Sequence, residues 1–273
     1  MDRILVPTDF SPQAENALKV AAQIAKRNSS EIYLEHSLNL PTHINETAKR
    51  GPMPESLAFV KLAEEKFEEI LKKPYLAEVA VKTAVGHSEI YEDINQTVKE
   101  KDINLIVMGS HGASGFKQMF IGSNAEKVVR TASIPVLVIK NEHPNFEVND
   151  FVYASDFSDE NIPSFKKARD FAEAIGATLN LLHVNTPSGF KTSEDANKLM
   201  HQFLNKTKTN SAELHIYNDL SVEKGILNFA KNNKMQLIGM STHGRKGLAH
   251  FFNGSISEDL VNHANMPVIT FKI

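Results

Sequence analysis

The sequence predicts an α/β protein built from two tandem domains, each a doubly wound, mainly parallel sheet between helices. Short apolar runs rich in β-branched residues alternate with segments whose apolar residues recur at helical spacing. The same order of elements occurs twice. At 273 residues the chain is long for one domain and fits two that each bury a core. We expect domains at 1–141 and 150–273, joined by a polar linker containing Pro144.

Composition excludes several classes of function. The chain is 41% hydrophobic and 23% charged with a net charge of −3, and it lacks the basic excess of a dedicated nucleic-acid binder. It has no cysteine, which excludes disulfides, zinc fingers and thiol nucleophiles. No signal-peptide pattern is present, and no apolar run approaches the ~18 residues needed to span a bilayer. We expect a cytoplasmic protein with neither a membrane nor a nucleic acid as partner.

The first half begins with a short apolar strand at 4–6. Ser11 and Pro12 then supply an N-cap and a proline in the first turn of a helix. Apolar runs predict the other strands of this half at 31–37, 77–85, 103–108 and 135–140. The segment 39–56 holds three prolines and a glycine, so we expect it to be a loop and a candidate lid.

The second half repeats this order of elements. Its strands are expected at 151–155, 178–184, 212–217, 235–240 and 267–271. Asp9 returns as Asp156 and His36 returns as His183, each 147 residues later. Three further pairs are 132 residues apart: His111 and His243, Gly122 and Gly254, and Pro135 and Pro267. The second copy is therefore shorter, mainly where the proline-containing segment lies in the first.

One stretch carries a chemical signal, the run from 109 to 123, which reads Gly-Ser-His-Gly, nine further residues and Gly-Ser. Gly109 follows a strand, and Gly122 and Ser123 lie where a helix begins, so their backbone N–H groups are expected to be unpaired. Those donors and the helix dipole suit an anion. The motif therefore predicts a phosphate-binding loop.

The residue types of this motif fit that chemistry. A glycine lets the backbone approach a polyphosphate closely and tolerates the positive φ of tight turns. Hydroxyl and amide donors are added by Ser110, Ser123 and Asn124.

Two pairs of histidines recur between the halves. His111 and His243 either contact the ligand or cap the preceding strand, at 103–108 or 235–240, through backbone hydrogen bonds. The sequence leaves both interpretations open. His36 and His183 lie near the end of the second strand of each half. We expect both to be half-buried with their hydrogen bonds satisfied.

Asp9 and Asp156 are expected to orient a ribose or a magnesium-bound water. The alternative is that each accepts hydrogen bonds from the turn that follows it. The P-loop pattern, the dinucleotide fingerprint, the His-Glu-x2-His zinc motif and the glycine-x-serine-x-glycine elbow are all missing from the sequence. Hydrolytic and dehydrogenase assignments therefore lack support.

Both halves resemble universal stress protein domains, over nearly the whole chain. The first half follows the family's ATP-binding pattern, glycine-x2-glycine-x9-glycine-Ser/Thr, without a substitution. The residues that carry the resemblance are Pro7-Thr8-Asp9, Gly109-Ser110-His111-Gly112, Gly122-Ser123 and Pro135-Val136-Leu137-Val138. The resemblance implies five parallel strands per domain in the order 3-2-1-4-5. A crevice then lies between strands one and four, at the switch point where ligands of such sheets bind.

The resemblance also implies the ligand, an adenine nucleotide such as ATP or AMP, with or without magnesium and with no metal held by protein ligands alone. The implied binding residues of the first half are Pro7, Thr8, Asp9, Met108, Gly109, His111, Gly112, Gly122, Ser123 and Asn124. Among them Thr8 and Asp9 would face the nucleoside, and the glycine-rich residues would hold the phosphates.

The second half departs from the pattern. Ser241 stands where the family has its first glycine, so its Cβ obstructs the approach of a phosphate while its hydroxyl can donate to one. Arg245 and Lys246 add positive charge that the first half lacks. The corresponding candidate residues are Ala154, Ser155, Asp156, Met240, Ser241, His243, Gly244, Arg245, Gly254 and Ser255.

The motif predicts a phosphate ligand, and the resemblance implies a stress-response regulatory protein that binds adenine nucleotide, with no catalysis or only slow ATP hydrolysis, and that acts on an unidentified protein partner. One alternative is an enzyme that hydrolyses ATP or phosphorylates itself at Ser123 or Ser110. Another is an interaction module in which the nucleotide is a structural ligand.

The last strand of each half, at 135–140 and 267–272, would be an apolar sheet edge. The family dimerises through that edge, so the resemblance implies that the two halves pair with each other within one chain. A homodimer of whole chains stays open.

Overall fold

The computed structural model describes residues 1–38, 54–111, 122–209, 211–242 and 256–273. Strands and helices alternate in these ranges as the sequence predicts. The strands of the first half are β1 (Arg3–Pro7), β2 (Glu31–Ser37), β3 (Val81–Gly86), β4 (Leu105–Gly109) and β5 (Val136–Ile139). Its helices are α1 (Pro12–Asn28), α2 (Pro54–Leu71), α3 (Ile90–Glu100) and α4 (Ser123–Thr131).

The second half has the same order of elements. Its strands are β6 (Asp150–Ala154), β7 (Thr178–Asn185), β8 (Ala212–Asn218), β9 (Leu237–Thr242) and β10 (Val268–Lys272). Its helices are α5 (Ile162–Ile175), α6 (Ser193–Thr207), α7 (Val222–Asn232) and α8 (Ile256–His263). No helix of the described ranges is both long enough and apolar enough to cross a bilayer.

All ten strands form one sheet, in the order β3-β2-β1-β4-β5-β10-β9-β6-β7-β8. Each half thus has the order 3-2-1-4-5, with its strands parallel to one another. The halves meet where β5 and β10 pair antiparallel, with Val138 opposite Val268 and Leu137 opposite Ile269. The expected pairing of the two final strands within one chain is confirmed.

The sequence repeat extends to the register of the strands. Arg3 lies opposite Glu31 in the first half, and Asp150 lies opposite Thr178 in the second. Both members of the second pair follow their counterparts by 147 residues, so corresponding residues occupy the same register in the two halves of the sheet.

The apolar core runs across the junction of the halves. One layer joins Leu137 and Ile139 of the first half to Phe151 and Phe271 of the second, and all four side chains are buried. The layer on the opposite face of the sheet also contains residues of both halves. The two units of sequence therefore share a continuous core.

The expected polar linker packs against the first half. Phe146 and Val148 are buried in the shared core. The Phe146 N–H donates to Gln23 Oε1 at 2.6 Å, and Gln23 Nε2 donates to the His143 carbonyl at 3.1 Å. The segment expected as a polar linker thus contains two apolar residues that dock it on α1.

The largest differences from the predicted boundaries lie at two places. The strand expected from residue 77 begins at Val81, because Pro74–Leu76 forms a short 3₁₀ turn before it. Most of the expected loop and candidate lid, 39–53, lies outside the described residues. Its last residues belong to α2, which begins at Pro54, since proline is well suited to a first helical turn.

Candidate functional site

The joint between β4 and α4 brings the two ends of the glycine-rich motif together. The Ser110 N–H donates to the Ile139 carbonyl at 3.0 Å, which fixes the chain beside β5. The Gly122 N–H donates to the Ser110 carbonyl at 2.7 Å. Strand β1 lies next to β4 in the sheet. The motif therefore lies beside the turn after β1, at the switch point of the first half.

The first turn of α4 offers hydrogen-bond donors. Gly122 is the N-cap, with φ −63° and ψ 144°, and no side chain caps the helix. Ser123 and Asn124 are exposed. Within the described ranges, the N–H groups of Ser123, Asn124 and Ala125 have no acceptor. Gly122 was expected to present an unpaired N–H as well, and this was wrong because Ser110 accepts it.

Packing explains why residue 109 is a glycine. A Cβ at Gly109 would lie 2.9 Å from the carbonyl oxygen of Gln13 and 3.0 Å from its carbon. The first turn of α1 therefore requires glycine there, whatever the ligand. Neither Gly109 nor Gly122 has a positive φ, so the conformational argument for these two glycines was wrong. Gly112 lies outside the described residues.

His111 has one satisfied and one unsatisfied ring nitrogen. Its Nδ1 lies 2.9 Å from the hydroxyl of Ser110, a residue only 1% exposed. Its Nε2 is buried without a partner among the described residues. Burial lowers the pKa of His111, and the charge of Lys140 lowers it further, so both favour the neutral ring. The contact with Ser110 replaces the backbone cap that was one of the two expectations.

The turn after β1 is held by its own side chains. Thr8 is buried, and its Oγ1 accepts the Phe10 N–H at 3.0 Å. Asp9 Oδ1 accepts the Ser11 N–H at 3.0 Å, as one of the two interpretations expected. Its role toward a ribose stays a prediction. His36 is half-buried and bonds the Thr8 carbonyl through Nδ1 at 2.8 Å, which confirms the expectation for that histidine.

The second half reproduces this turn. Ser155 Oγ accepts the Phe157 N–H at 3.0 Å, and Asp156 Oδ1 accepts the Ser158 N–H at 2.9 Å. Phe157 has a left-handed φ of 60°, matching 64° at Phe10.

Asn161 makes the two sites different. Its Nδ2 donates to Asp156 Oδ1 at 2.7 Å and to Ser158 Oγ at 2.9 Å, and its Oδ1 accepts the hydroxyl of Ser241. A 3₁₀ turn, Asp159–Asn161, precedes α5, whereas α1 begins directly at the equivalent position. At this rearranged start, Asn161 receives the hydroxyl of Ser241. The polar groups at this end of the second half therefore bond one another.

His183 does not match His36. It is 7% exposed, and neither of its ring nitrogens has a partner within the described ranges. Burial, together with the charge of Lys191, lowers its pKa. The expectation of a satisfied histidine was wrong, because the ring is buried without the carbonyl contact that His36 makes.

Two residues were missed from sequence. Glu35 is 4% exposed on β2, and burial raises its pKa to about 7. The Thr8 N–H donates to its carbonyl at 2.8 Å, so it lies directly beside the site. Lys140 follows β5 and has a pKa lowered by burial to about 8. The available signals were a charge within an apolar strand and a lysine that returns 132 residues later as Lys272.

The other predicted site residues are placed as follows. Pro7 and Ala154 end β1 and β6, and Met108 and Met240 are buried in β4 and β9. The predicted residues outside the described ranges are Gly112, His243, Gly244, Arg245, Gly254 and Ser255.

The fold and site define a duplicated, doubly wound α/β protein with a glycine-rich loop at the switch point of its first half. The model of the universal stress protein family matches residues 1–140 and 148–272. The chain belongs to this family and contains two of its domains.

Similar proteins cover either one half or the whole chain. Universal stress protein YxiE of Bacillus subtilis is 29% identical over 153 residues, which is 51% of this chain and 99% of the relative. Universal stress protein MJ0531 of Methanocaldococcus jannaschii is 32% identical over 144 residues, which is 50% of this chain and 81% of the relative. The crystal structure of a universal stress protein from Archaeoglobus fulgidus superposes with a TM-score of 0.75 at 22% identity, covering 99% of this chain and 98% of that one. The tandem fold thus occurs in a solved structure.

Proposed function

We propose that this protein is a stress-response regulator whose first half binds an adenine nucleotide, ATP or AMP, and that turnover is not its purpose. The observation that carries the proposal is the open N-terminus of α4. Three successive N–H groups there, those of Ser123, Asn124 and Ala125, have no acceptor within the described residues. Helix N-termini of this kind bind phosphate.

His111 supports the same assignment. When the Ser110 hydroxyl donates to Nδ1, the ring proton lies on Nε2, the nitrogen that has no described partner. A neutral histidine in that tautomer donates a hydrogen bond to a phosphate oxygen without adding charge. Thr8 and Asp9, on the neighbouring strand end, would face the nucleoside. The preference for adenine rests on family membership.

The second half is the weaker nucleotide site in this proposal. Asn161 bonds both Asp156 and Ser241, the counterparts of Asp9 and Gly109. A ligand would have to displace these partly buried hydrogen bonds, and leaving the buried Asn161 amide unsatisfied costs about 1–3 kcal/mol.

In the autophosphorylation alternative, the burial of Ser110 favours Ser123 as the acceptor. Ser110 has 1% of its surface exposed, so its hydroxyl is a poor acceptor for phosphoryl transfer. The exposed Ser123 is the accessible acceptor of the two. Autophosphorylation would therefore give a mass increase that Ser123→Ala removes.

Mass spectrometry of ligand released from protein purified without added nucleotide tests the proposal, followed by a turnover assay on the same sample. We expect a retained adenine nucleotide and turnover well below about 1 per second, the low end of typical kcat values. Protein with no nucleotide, either retained or bound on addition, would contradict the binding assignment. Faster turnover would favour the enzyme alternative.

A further inference from the structure

A lysine from each half contacts the C-terminal end of a helix in the other half, either α4 or α8. Lys272, the last residue of β10, donates from Nζ to the Arg130 carbonyl at 3.1 Å, in the last turn of α4. Lys140, just after β5, donates from Nζ to the Asn262 carbonyl at 2.5 Å, in the last turn of α8. Each lysine therefore binds the C-terminal end of the helix that follows the other half's glycine-serine pair in the sequence.

Each lysine is also tied to the motif strand of its own half. The residue before Lys140, Ile139, accepts the N–H of Ser110. The residue after Lys272, Ile273, donates its N–H to the Thr242 carbonyl at 3.2 Å. A continuous set of contacts thus runs from the motif strand of each half to the motif helix of the other.

We propose that Lys272 is a positioning residue for the phosphate site of the first half, so that the second half completes the site of the first. This inference rests on the proposed nucleotide binding at the N-terminus of α4. A cation at a helix C-terminus pairs with exposed carbonyls and with the negative end of the helix dipole. Lys272 thereby holds the far end of a nine-residue helix whose near end presents the donors.

The chemistry of the contact favours lysine at this position. Lys272 is only partly exposed, and burial lowers its pKa. Its ammonium donates to a carbonyl of the other half instead of extending into solvent. The equivalent contact of Lys140 with α8 shows the same arrangement a second time.

The test compares ligands with and without phosphate. Calorimetric titrations with ATP and with adenosine are made on the full chain, on K272M and on K272R. Lys167→Met is the matched control. Lys167 also donates to a carbonyl of the first half, at 3.4 Å, but that carbonyl belongs to Ser133, which lies beyond the end of α4. K272Q, which keeps a donor without the charge, serves if K272M does not fold.

We expect K272M to weaken ATP binding about two- to fivefold, the size of a helix-terminus charge effect. Adenosine affinity should stay unchanged, because adenosine lacks the group that the helix N-terminus binds. K272R and K167M should bind ATP like the parent. A general structural loss would instead weaken both ligands together.

Equal ATP affinity in the parent and in K272M, or in K272Q if that variant replaces it, would overturn the inference and leave the nucleotide site standing. An equal loss for ATP and adenosine would overturn it too. A parent chain that binds no ATP would overturn the proposed function, and the inference with it.

Discussion

Glu35 lies in an environment that disfavours its charged form. It occupies an inward position of β2, where the second half has the apolar Leu182. A hydrogen bond from the Thr97 side chain favours the charged form, while the nearby Asp93 and Glu100 oppose it. Desolvation dominates, so the carboxyl group is half protonated near pH 7 in the folded chain.

This predicts a pH-dependent stability. The folded pKa of Glu35, about 7, lies above its ordinary value, so the folded state binds the proton more tightly than the unfolded state. The stabilisation of the folded state by this protonation, about 3 kcal/mol, is fully present below about pH 4.5 and is lost as the pH rises through about 7. We expect Glu35→Gln to raise the free energy of unfolding at pH 8 and to have less effect at pH 5.

Urea denaturation at the two pH values measures this difference. Glu64→Gln, which removes an exposed carboxylate from α2, is the matched control and should shift stability little at either pH. Equal effects of the two variants at pH 8 would contradict the assignment of a buried, protonated Glu35.

Gly109 gives a second prediction at the scale of a residue. The Cβ of Gly109→Ala would press on the backbone of Gln13 at 2.9 Å, and such overpacking costs about 1–3 kcal/mol. We expect that loss in chemical denaturation. Gly189→Ala, whose new Cβ would make an ordinary contact at 3.5 Å with Thr186, should cost much less. Equal stability of Gly109→Ala and the parent would show that the start of α1 adapts.

At the level of elements, apolar periodicity predicted all the described strands and most of the helices. It predicted that α4 begins at Ser123, because a glycine precedes apolar residues at helical spacing. The helix α8 was not marked by any such pattern. Periodicity also missed the 3₁₀ turns before β3 and α5, since those turns depend on contacts with distant residues. In the 3₁₀ turn at Asp159–Asn161, the Asn161 side chain accepts a hydrogen bond from Ser241, which lies 80 residues further along the chain.

The candidate site was predictable to a similar degree. The motif spacing identified the loop and helix that meet at Ser110 and Gly122. Which N–H groups stay unpaired, and the lysine contacts between the halves, depend on tertiary distances that no local pattern encodes. Asn161 was also beyond prediction, because its importance lies in a hydrogen bond to Ser241.

At the scale of the whole molecule, the two family domains behave as one structure. The sheet is continuous from β3 to β8, and buried residues of both halves form the same core layers. Domains with small polar interfaces move and unfold separately. A shared sheet and core predict that the two halves move and unfold together.

We therefore expect a single cooperative thermal transition. Phe146→Ala, at a linker residue 2% exposed, should destabilise the whole chain by about 3–5 kcal/mol. Scanning calorimetry should give one peak in the parent and in the variant, with calorimetric and van't Hoff enthalpies that agree. Two separate peaks would show that the halves unfold independently.

The central claim is that the N-terminus of α4 in the first half binds the nucleotide phosphate. Isothermal titration of ATP into the full chain and into Gly122→Leu tests it most directly, because the φ and ψ of Gly122 are open to any residue and the variant should fold. We predict a single high-affinity site per chain, abolished in Gly122→Leu, with the variant still folded and its unfolding temperature lowered only slightly, since leucine is a poorer N-cap than glycine. Unaltered ATP affinity in Gly122→Leu would contradict the claim.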